Sequence, residues 1–253
     1  MPRTIPVTLN FHPDAKAKGE RTIERIAREG CYRSQFETGT SNGGLTALAK
    51  GDRWEWESTI FGGAYDDADP ALRPKYGALN HTHSAFGGSP RFGSCHFRLS
   101  PHVLERTTFC YPDSHLNPTD FGVADRMALI DLAEANSLDL DPVLDNYVEA
   151  HIHGPIGIEE DIDAVVLDPS YRGTATEQFA SQLKCDVEWH SGFELQLEKL
   201  LDHEGFRPEP ALKAITDLKI RTPADIGAAR EKDLDYQTAK WVWHCVARFG
   251  HEV

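Results

Sequence analysis

The chain has 253 residues and a formal net charge of −14 at pH 7, from 40 acidic and 26 basic residues. This charge opposes unassisted binding to a nucleic-acid backbone or an anionic membrane, because both are themselves negative. No apolar run approaches the roughly 20 residues that span a bilayer, so we expect no membrane association. The N-terminus lacks the apolar core of a signal peptide, and the five cysteines are scattered in a way that indicates reduced thiols. We therefore expect a cytoplasmic protein, or an effector that is delivered without a cleaved signal.

The first hundred residues predict one helix followed by short extended segments. Residues 13–29 have the spacing of an amphipathic helix that ends at Gly30, and residues 31–36 are predicted to be extended. From 54 to 100, frequent glycine, proline and aromatic residues favour short strands joined by long loops.

The second half of the chain mixes predicted strands and helices and then becomes wholly helical. The predicted strands cover 147–152, 164–167 and 187–190. The predicted helices cover 123–136, 174–183, 194–203, 210–218, 223–232 and 236–249. A strand-rich middle with a helical end is typical of the α+β class. We expect a catalytic domain at 1–192 and a helical C-terminal extension at 193–253 that packs on it.

One acidic residue, Glu149, lies within an otherwise apolar run that predicts a buried strand. Burial of a carboxylate costs free energy unless it is paired or used, because desolvation disfavours its charged form. His151 and His153 follow at the two-residue spacing that places side chains on one face of a strand. We predict that Glu149, with His151 and His153 beside it, is catalytic and stabilises a developing positive charge. The alternative is a structural glutamate paired with a nearby basic residue.

Two histidine pairs, His81 with His83 and His151 with His153, also have a spacing that metal ligands use. The chain has no HExxH motif, and its 12 histidines make such pairs frequent by chance. A bound metal is therefore not expected.

A polar loop and several aromatic residues are candidates for contacts with a ligand. The Gly-, Ser-, Thr- and Asn-rich loop at 36–44 exposes backbone N–H groups that suit phosphate. Tyr65 and Tyr76, flanked by small residues, can stack on a flat ring, and Arg91 can bind a phosphate. Taken singly, each is better explained as an ordinary loop, a core aromatic residue or a solvated arginine. The tryptophan-containing segment at 240–250 is typical of a docking helix.

Seven blocks of the sequence resemble a bacterial protein family of unassigned function, and this resemblance covers most of the chain. The blocks are 32–45, 61–65, 73–80, 91–95, 107–109, 147–150 and 166–174.

The order of these blocks also resembles the ADP-ribosyltransferase superfamily. Its enzymes hold NAD on a split sheet, with an Arg or a His-Gly-Thr motif at the end of the first strand. A glycine-flanked aromatic strand follows, and a glutamate on a late strand contacts the nicotinamide ribose. The resemblance implies a split, mixed or antiparallel sheet with an N-terminal helix and a helical C-terminal tail.

The resemblance implies a role for particular residues. Glu149 corresponds to the catalytic glutamate, 61–65 to the aromatic strand, and Tyr76 to the residue that stacks on nicotinamide. The residues expected to contact NAD are Thr38, Gly39, Thr40, Ser41, Asn42, Tyr65, Tyr76, Arg91 and Ser94. The sequence departs from the superfamily at Thr38, where a histidine is expected, and at Tyr147, where many members have Gln or Glu. These departures leave the acceptor open.

We therefore predict an NAD-cleaving ADP-ribosyltransferase or NAD glycohydrolase, with NAD as the substrate. The acceptor is a protein, a nucleic acid, a small molecule or water, and the oligomeric state is not predicted. One alternative is a metal-dependent hydrolase that uses the two histidine pairs. Another is a non-catalytic module that binds a ligand or a partner protein.

Overall fold

The computed structural model describes residues 5–17, 19–39, 47–203 and 205–251. These residues form twelve β-strands and ten α-helices. The strands are β1 (Val7–Phe11), β2 (Lys16–Ala17), β3 (Glu20–Arg21), β4 (Cys31–Tyr32), β5 (Lys75–Leu79), β6 (Cys95–Leu99), β7 (Thr107–Tyr111), β8 (Asp120–Val123), β9 (Val148–Ile152), β10 (Ile156–Gly157), β11 (Ile162–Leu167) and β12 (Asp186–Trp189). The helices are α1 (Thr22–Glu29), α2 (Gln35–Thr38), α3 (Asp52–Ile60), α4 (Leu129–Ala135), α5 (Ile158–Asp161), α6 (Ala175–Ala180), α7 (Leu197–Leu201), α8 (Glu209–Asp217), α9 (Pro223–Arg230) and α10 (Tyr236–Phe249).

Eight strands form the main sheet, in the order β12-β11-β6-β1-β5-β9-β7-β8. Strand β11 pairs with β12 in parallel, and the other neighbours in this sheet are antiparallel. This mixed sheet, combined with helices, confirms the predicted α+β class.

Strand β9 is an interior strand of the sheet, between β5 and β7, and is buried on both faces. Its side chains at 148, 150 and 152 belong to the larger hydrophobic core. The alternate residues Glu149 and His151 point to the opposite face, because successive side chains of a strand alternate. The apolar residues of β9 anchor the strand, since full burial of one Val or Ile side chain contributes about 1.5–3 kcal/mol. The polar residues are thereby held in fixed positions on the other face.

Gly77 allows β5 to lie close to β1. A Cβ atom at this position would be 2.5 Å from the carbonyl oxygen of Thr8. Any larger residue would push these two central strands apart.

The C-terminal helices pack around a second hydrophobic core. This core contains Phe193, Trp243 and the apolar faces of α8, α9 and α10, and it also includes Leu144 from the preceding segment. The indole N–H of Trp243 donates to the carbonyl oxygens of Pro90 (3.0 Å) and Arg91 (3.1 Å), which fixes α10 against the sheet-containing part. The division of the chain at 192/193 stays a prediction.

The N-terminal helix begins later than predicted. Residues 16–17 and 20–21 form a small hairpin instead, whose turn contains Gly19 at φ +86°. A positive φ is readily adopted by glycine and stops helix growth there. Helix α1 then runs to Gly30, which adopts the left-handed conformation (φ 66°) as is typical of a helix C-cap.

Residues 52–60 form a helix, although short strands and loops are predicted there. The following segment, 61–65, is a turn rather than a glycine-rich aromatic strand, because Gly62 and Gly63 have φ values of 59° and 78°. Such values are incompatible with an extended strand. The segment predicted to be extended at 31–36 is a strand only at 31–32, and its last two residues begin the helical turn 35–38, because Ser34 caps this turn by accepting from the backbone N–H of Glu37.

The remaining predicted elements differ from the observed ones mainly at their boundaries. Val123 ends strand β8, so the helix predicted at 123–136 is confined to α4. The strand at 147–152, the strand at 164–167 and the last helix agree closely with β9, β11 and α10. Within the described ranges, no helix has the length and apolar character needed to cross a membrane.

Candidate active site

Glu149 is buried and both of its carboxylate oxygens are hydrogen-bonded. Only 5% of the residue is exposed. Its Oε2 accepts from the backbone N–H (3.2 Å) and the hydroxyl (3.0 Å) of Ser114. Its Oε1 lies 3.1 Å from Nε2 of His151. Oε2 already accepts two hydrogen bonds, whereas Oε1 retains a lone pair that can accept a further hydrogen bond from a ligand.

The surroundings keep the Glu149 carboxyl ionised. Burial raises its pKa, but the hydrogen bond from His151, the positive charge of Arg53 and the backbone N–H of Ser114 act in the opposite direction. The net effect holds the pKa of Glu149 below its usual value. A buried anion in a prearranged set of donors is suited to stabilising positive charge.

A chain of hydrogen bonds leads from Tyr65 to Glu149. The Tyr65 hydroxyl lies 2.6 Å from Nδ1 of His153, and Nε2 of His153 lies 2.9 Å from Oγ1 of Thr108. The same Thr108 oxygen lies 3.2 Å from Nδ1 of His151. One assignment of the hydrogens satisfies every contact in this chain: each group donates towards Glu149, and the His153 imidazole is neutral. Burial lowers the pKa of His153 to about 4, which agrees with this assignment.

Helix α3 covers this face of the sheet with charged residues that sequence reasoning missed. Arg53 donates to the hydroxyl of Ser114 (2.9 Å), and its guanidinium lies 4.1 Å from the centre of the Tyr76 ring. Glu57, one turn further along α3, accepts from the Tyr76 hydroxyl (2.6 Å) and from Arg73 (2.6 Å). Burial raises the pKa of Glu57 despite these two donors. Arg53 and Glu57 together fix Tyr76 and Ser114 beside the candidate catalytic carboxylate.

A cavity of about 1100 Å³ opens beside Glu149. Its wall includes parts of α1, β1, β5, the 113–116 turn, the 205–209 segment and α10. Typical small-molecule sites have volumes of about 300–1000 Å³, so this cavity can accommodate a ligand as large as a dinucleotide.

The cavity wall carries an excess of basic groups, although the chain as a whole is acidic. The basic residues on the wall are Arg25, Arg33, Arg53, Lys75, Arg91, Arg207 and Lys240. The carboxylates on the wall are Glu29, Asp113, Asp145, Glu149 and Glu209. Arg33 pairs with Glu29 and Arg91 pairs with Asp145. The wall is therefore complementary to a ligand with negative charge.

The structure brings together some of the predicted site residues and separates others. Those that line the cavity are Thr38, Tyr76, Arg91 and Glu149. His151 is buried directly behind Glu149, and Gly39 follows Thr38 in the left-handed conformation that ends α2. Thr40, Ser41 and Asn42 lie outside the described residues.

Three further predicted residues lie away from the cavity. Tyr65 and His153 lie at the far end of the hydrogen-bond chain behind Glu149, where their rings stack with centroids 5.9 Å apart. Ser94 is 1% exposed and lies near the Tyr171 hydroxyl (3.5 Å). The geometry gives Tyr65 and His153 a supporting position and gives Ser94 no contact with the cavity.

One face of the Tyr76 ring is already covered by Arg53, and the hydroxyl is bound to Glu57. The predicted stacking of Tyr76 on a ligand ring therefore applies only to the ring face that Arg53 leaves open.

The described residues contain one group that has metal-ligand geometry. Cys110, Glu149 and His151 each offer one ligand atom, and these atoms lie within 4.8 Å of one another. This set differs from the two histidine pairs considered above. His81 and His83 lie in the turn that follows β5, and His83 is exposed.

Several buried histidines are held neutral, which predicts acid sensitivity. Burial is the main cause that lowers the pKa of His12 and His153 to about 4, His96 to about 3 and His244 to about 2. Below about pH 6.5 the unfolded chain binds protons at these positions and the folded chain does not. Each histidine then lowers the free energy of unfolding by about 1.4 kcal/mol per pH unit.

Asp14 has the opposite effect and offsets one histidine, because burial raises its pKa to about 6. We expect urea denaturation to show a steep net loss of stability from about pH 7 to about pH 5. In the variant His96→Gln, the free energy of unfolding should change less steeply with pH, by the contribution of about one bound proton. An equal slope in both proteins, or a flat profile, would contradict this account.

The fold and the site define an α+β protein with a buried, ionised carboxylate at the wall of a large basic cavity. Residues 6–137 and 130–243 match the family described as "Protein of unknown function (DUF3626)", and the chain belongs to this family. No curated protein sequence matches the chain. Among solved structures, the chain is similar to Thermus sp. 2.9 DarT in complex with carba-NAD+, with 10% identity and a TM-score of 0.45. That alignment covers 75% of this chain and 97% of the DarT chain, and at this level of similarity it carries no argument about the site.

Proposed function

We propose that this protein binds NAD in the basic cavity and cleaves the bond between nicotinamide and ribose. The observation that carries the proposal is Glu149, a buried carboxylate held ionised at the wall of a cavity of about 1100 Å³. The resemblance of the sequence to ADP-ribosyltransferases, in which a strand-borne glutamate contacts the nicotinamide ribose, supports the same residue.

In the proposed reaction, the bond between C1′ of the ribose and the nicotinamide nitrogen breaks. The bonding electron pair leaves with nicotinamide, and positive charge develops on C1′ and the ring oxygen. Glu149 stabilises this charge and accepts a hydrogen bond from a ribose hydroxyl, and both effects are strongest in the transition state. An acceptor nucleophile then forms a bond to C1′ and loses a proton. Water as the acceptor makes the protein an NAD glycohydrolase, and another nucleophile makes it an ADP-ribosyltransferase.

The charge of the cavity wall supports a ligand with phosphate groups. The chain carries −14 overall, whereas the cavity wall has seven Lys and Arg side chains against five carboxylates, so the sign of the charge is reversed there. The diphosphate of NAD is a ligand feature that guanidinium and ammonium groups bind through charge-assisted hydrogen bonds. Such a cavity attracts an anionic ligand out of solution.

Thr108 is proposed as a positioning residue, because its hydroxyl joins His151 to His153. Thr108→Val keeps the shape but leaves two imidazole nitrogens without this partner. We expect kcat for nicotinamide release to fall roughly tenfold with KM for NAD little changed, since a misplaced His151 no longer orients Glu149. The matched control is Thr107→Val, which loses a hydrogen bond to Val103 but leaves the chain to Glu149 intact. Equal activity of the two variants would show that Thr108 acts only through stability.

The second candidate function is a metal-dependent hydrolase, and it is favoured by the group Cys110, Glu149 and His151. Burial raises the pKa of the Cys110 thiol, so a bound metal would have to displace its proton. This candidate predicts a metal that resists dialysis.

The test is incubation of the purified protein with NAD, followed by chromatography of the products and a metal assay on the same batch. The NAD-cleaving function predicts free nicotinamide and an ADP-ribose product, at a rate that a chelator does not change. Activity that requires a tightly bound metal would favour the hydrolase. A protein that binds neither NAD nor metal would support a non-catalytic module.

A further inference from the structure

Helix α10 contributes one side of its surface to the cavity. Gln237, Lys240 and His244 line the cavity at spacings of three and four residues, which places them on one face of the helix. Trp243, which lies about 100° from His244 around the helix, donates to the carbonyl groups of residues 90 and 91 and docks the adjacent face of α10. The C-terminal tail is therefore part of the ligand-binding cavity as well as a packing element.

His244 presents a buried hydrogen-bond donor that has no acceptor. Only 4% of the residue is exposed. Its Nδ1 accepts from Nε of Arg207 at 3.0 Å, so the hydrogen of the neutral ring is on Nε2. Burial, together with the charges of Arg91, Arg207 and Lys240, lowers the pKa of His244 to about 2, which keeps the ring neutral. Among the described residues, Nε2 has no hydrogen-bond partner. A buried donor of this kind is costly unless a ligand supplies an acceptor.

The cations around His244 are close enough that their charges lower the pKa values of their neighbours. Burial, followed by the charge of Arg91, lowers the pKa of Arg207. Burial and the charges of Arg91 and Arg207 lower the pKa of Lys240. Within the described ranges, Arg91 pairs with Asp145, whereas no carboxylate forms an ion pair with Arg207 or Lys240. The cluster thus has an excess of positive charge that the protein itself does not neutralise.

We propose that Arg207, Lys240 and His244 form a subsite that binds a phosphoryl group of the cavity ligand. A tetrahedral oxyanion offers several acceptors to the guanidinium, the ammonium and the Nε2–H of His244 at the same time. The proposal rests on the proposed function and deepens it: the group bound here is the diphosphate of NAD, and Glu149 faces the nicotinamide ribose. The tail would then fix the distance between diphosphate and catalytic carboxylate.

The experiment is calorimetric titration of the full chain with inorganic pyrophosphate, ADP and NAD. The variants are Lys240→Met, which removes one charge, and His244→Phe, which removes the free donor and keeps a ring. We expect each variant to bind all three ligands on the order of tenfold more weakly than the wild type. The matched control is Lys213→Met in α8, an exposed lysine of the same tail that pairs with Asp217. Melting temperatures of the three variants show whether each is folded.

The possible outcomes distinguish a failure of the proposed subsite from a failure of the proposed reaction. Affinities within about twofold of the wild type in both folded variants would overturn the subsite. Weaker binding of pyrophosphate with unchanged binding of NAD would overturn the assignment to the NAD diphosphate and point to a second phosphorylated molecule. If the wild type does not cleave NAD but loses pyrophosphate affinity in Lys240→Met, the proposed function fails while the subsite stands.

Discussion

Substitution of Glu149 by glutamine is expected to lower the rate of nicotinamide release by on the order of 100-fold or more. Glutamine has nearly the same shape but no negative charge, so it cannot stabilise the positive charge that develops on the ribose. It also keeps one oxygen that can accept from Ser114, whose N–H and hydroxyl hold Oε2 at present. The loss should therefore appear in kcat, whereas the affinity for NAD should change little.

The measurement is steady-state nicotinamide release at several NAD concentrations, combined with direct titration of NAD into both proteins. Glu134→Gln is the matched control, because Glu134 is an exposed residue of α4 and does not line the cavity. Full turnover in Glu149→Gln would show that the carboxylate is structural. Loss of NAD binding in that variant would instead assign Glu149 to ligand recognition.

Substitution of Arg73 by methionine is expected to destabilise the protein by about 3–5 kcal/mol. Arg73 and Glu57 form an ion pair of 2.6 Å in which the side chains are only 4% and 0% exposed. Removal of the guanidinium would leave the Glu57 carboxylate buried with the Tyr76 hydroxyl as its main remaining donor. Burial already raises the pKa of Glu57, so an uncompensated charge at this site is costly.

Urea denaturation of Arg73→Met, Glu57→Gln and the double variant measures this coupling. The double variant should be more stable than Arg73→Met alone, because it no longer buries an unpaired charge. Arg98→Met is the comparison, since the Arg98–Glu188 pair is 33% and 43% exposed and should contribute only about 0–1 kcal/mol. Equal losses in Arg73→Met and Arg98→Met would contradict the role of the buried pair.

The strand that carries Glu149 was predictable because its pattern is local. Apolar residues surround Glu149 and His151, and β-strand alternation alone places both polar side chains on one face. The last helix, α10, was predictable for the same reason, since its apolar face recurs at helical spacing. Capping residues fixed several of the other boundaries, among them Gly30 after α1.

Helix α3 was missed because its sequence carries the wrong local signal. Trp54 and Trp56 alternate with Glu55 and Glu57, a period of two that favours a strand. Its buried residues are Arg53 and Glu57, so the helix has no apolar stripe that a sequence pattern could reveal. Tertiary contacts decide the structure instead: Glu57 forms an ion pair with Arg73 and accepts from Tyr76 of β5, and Arg53 donates to Ser114.

The contribution of the tail to the cavity could not be read from periodicity either. The sequence predicts a docking helix, and Trp243 does dock. Whether Lys240 and His244 point to solvent or to a cavity depends on which elements pack opposite α10. That information lies in long-range contacts with the 90–91 turn and the 205–209 segment. The supporting positions of Tyr65 and His153 depend in the same way on how strand β7 pairs with β9.

The most direct test of the account is a crystal structure of Glu149→Gln with NAD, which this slow variant should leave uncleaved. We expect C1′ of the nicotinamide ribose to lie beside residue 149 and the diphosphate to contact Lys240 and Arg207. NAD bound with its ribose remote from residue 149, or a metal ion held by Cys110 and His151 in the wild type, would contradict it.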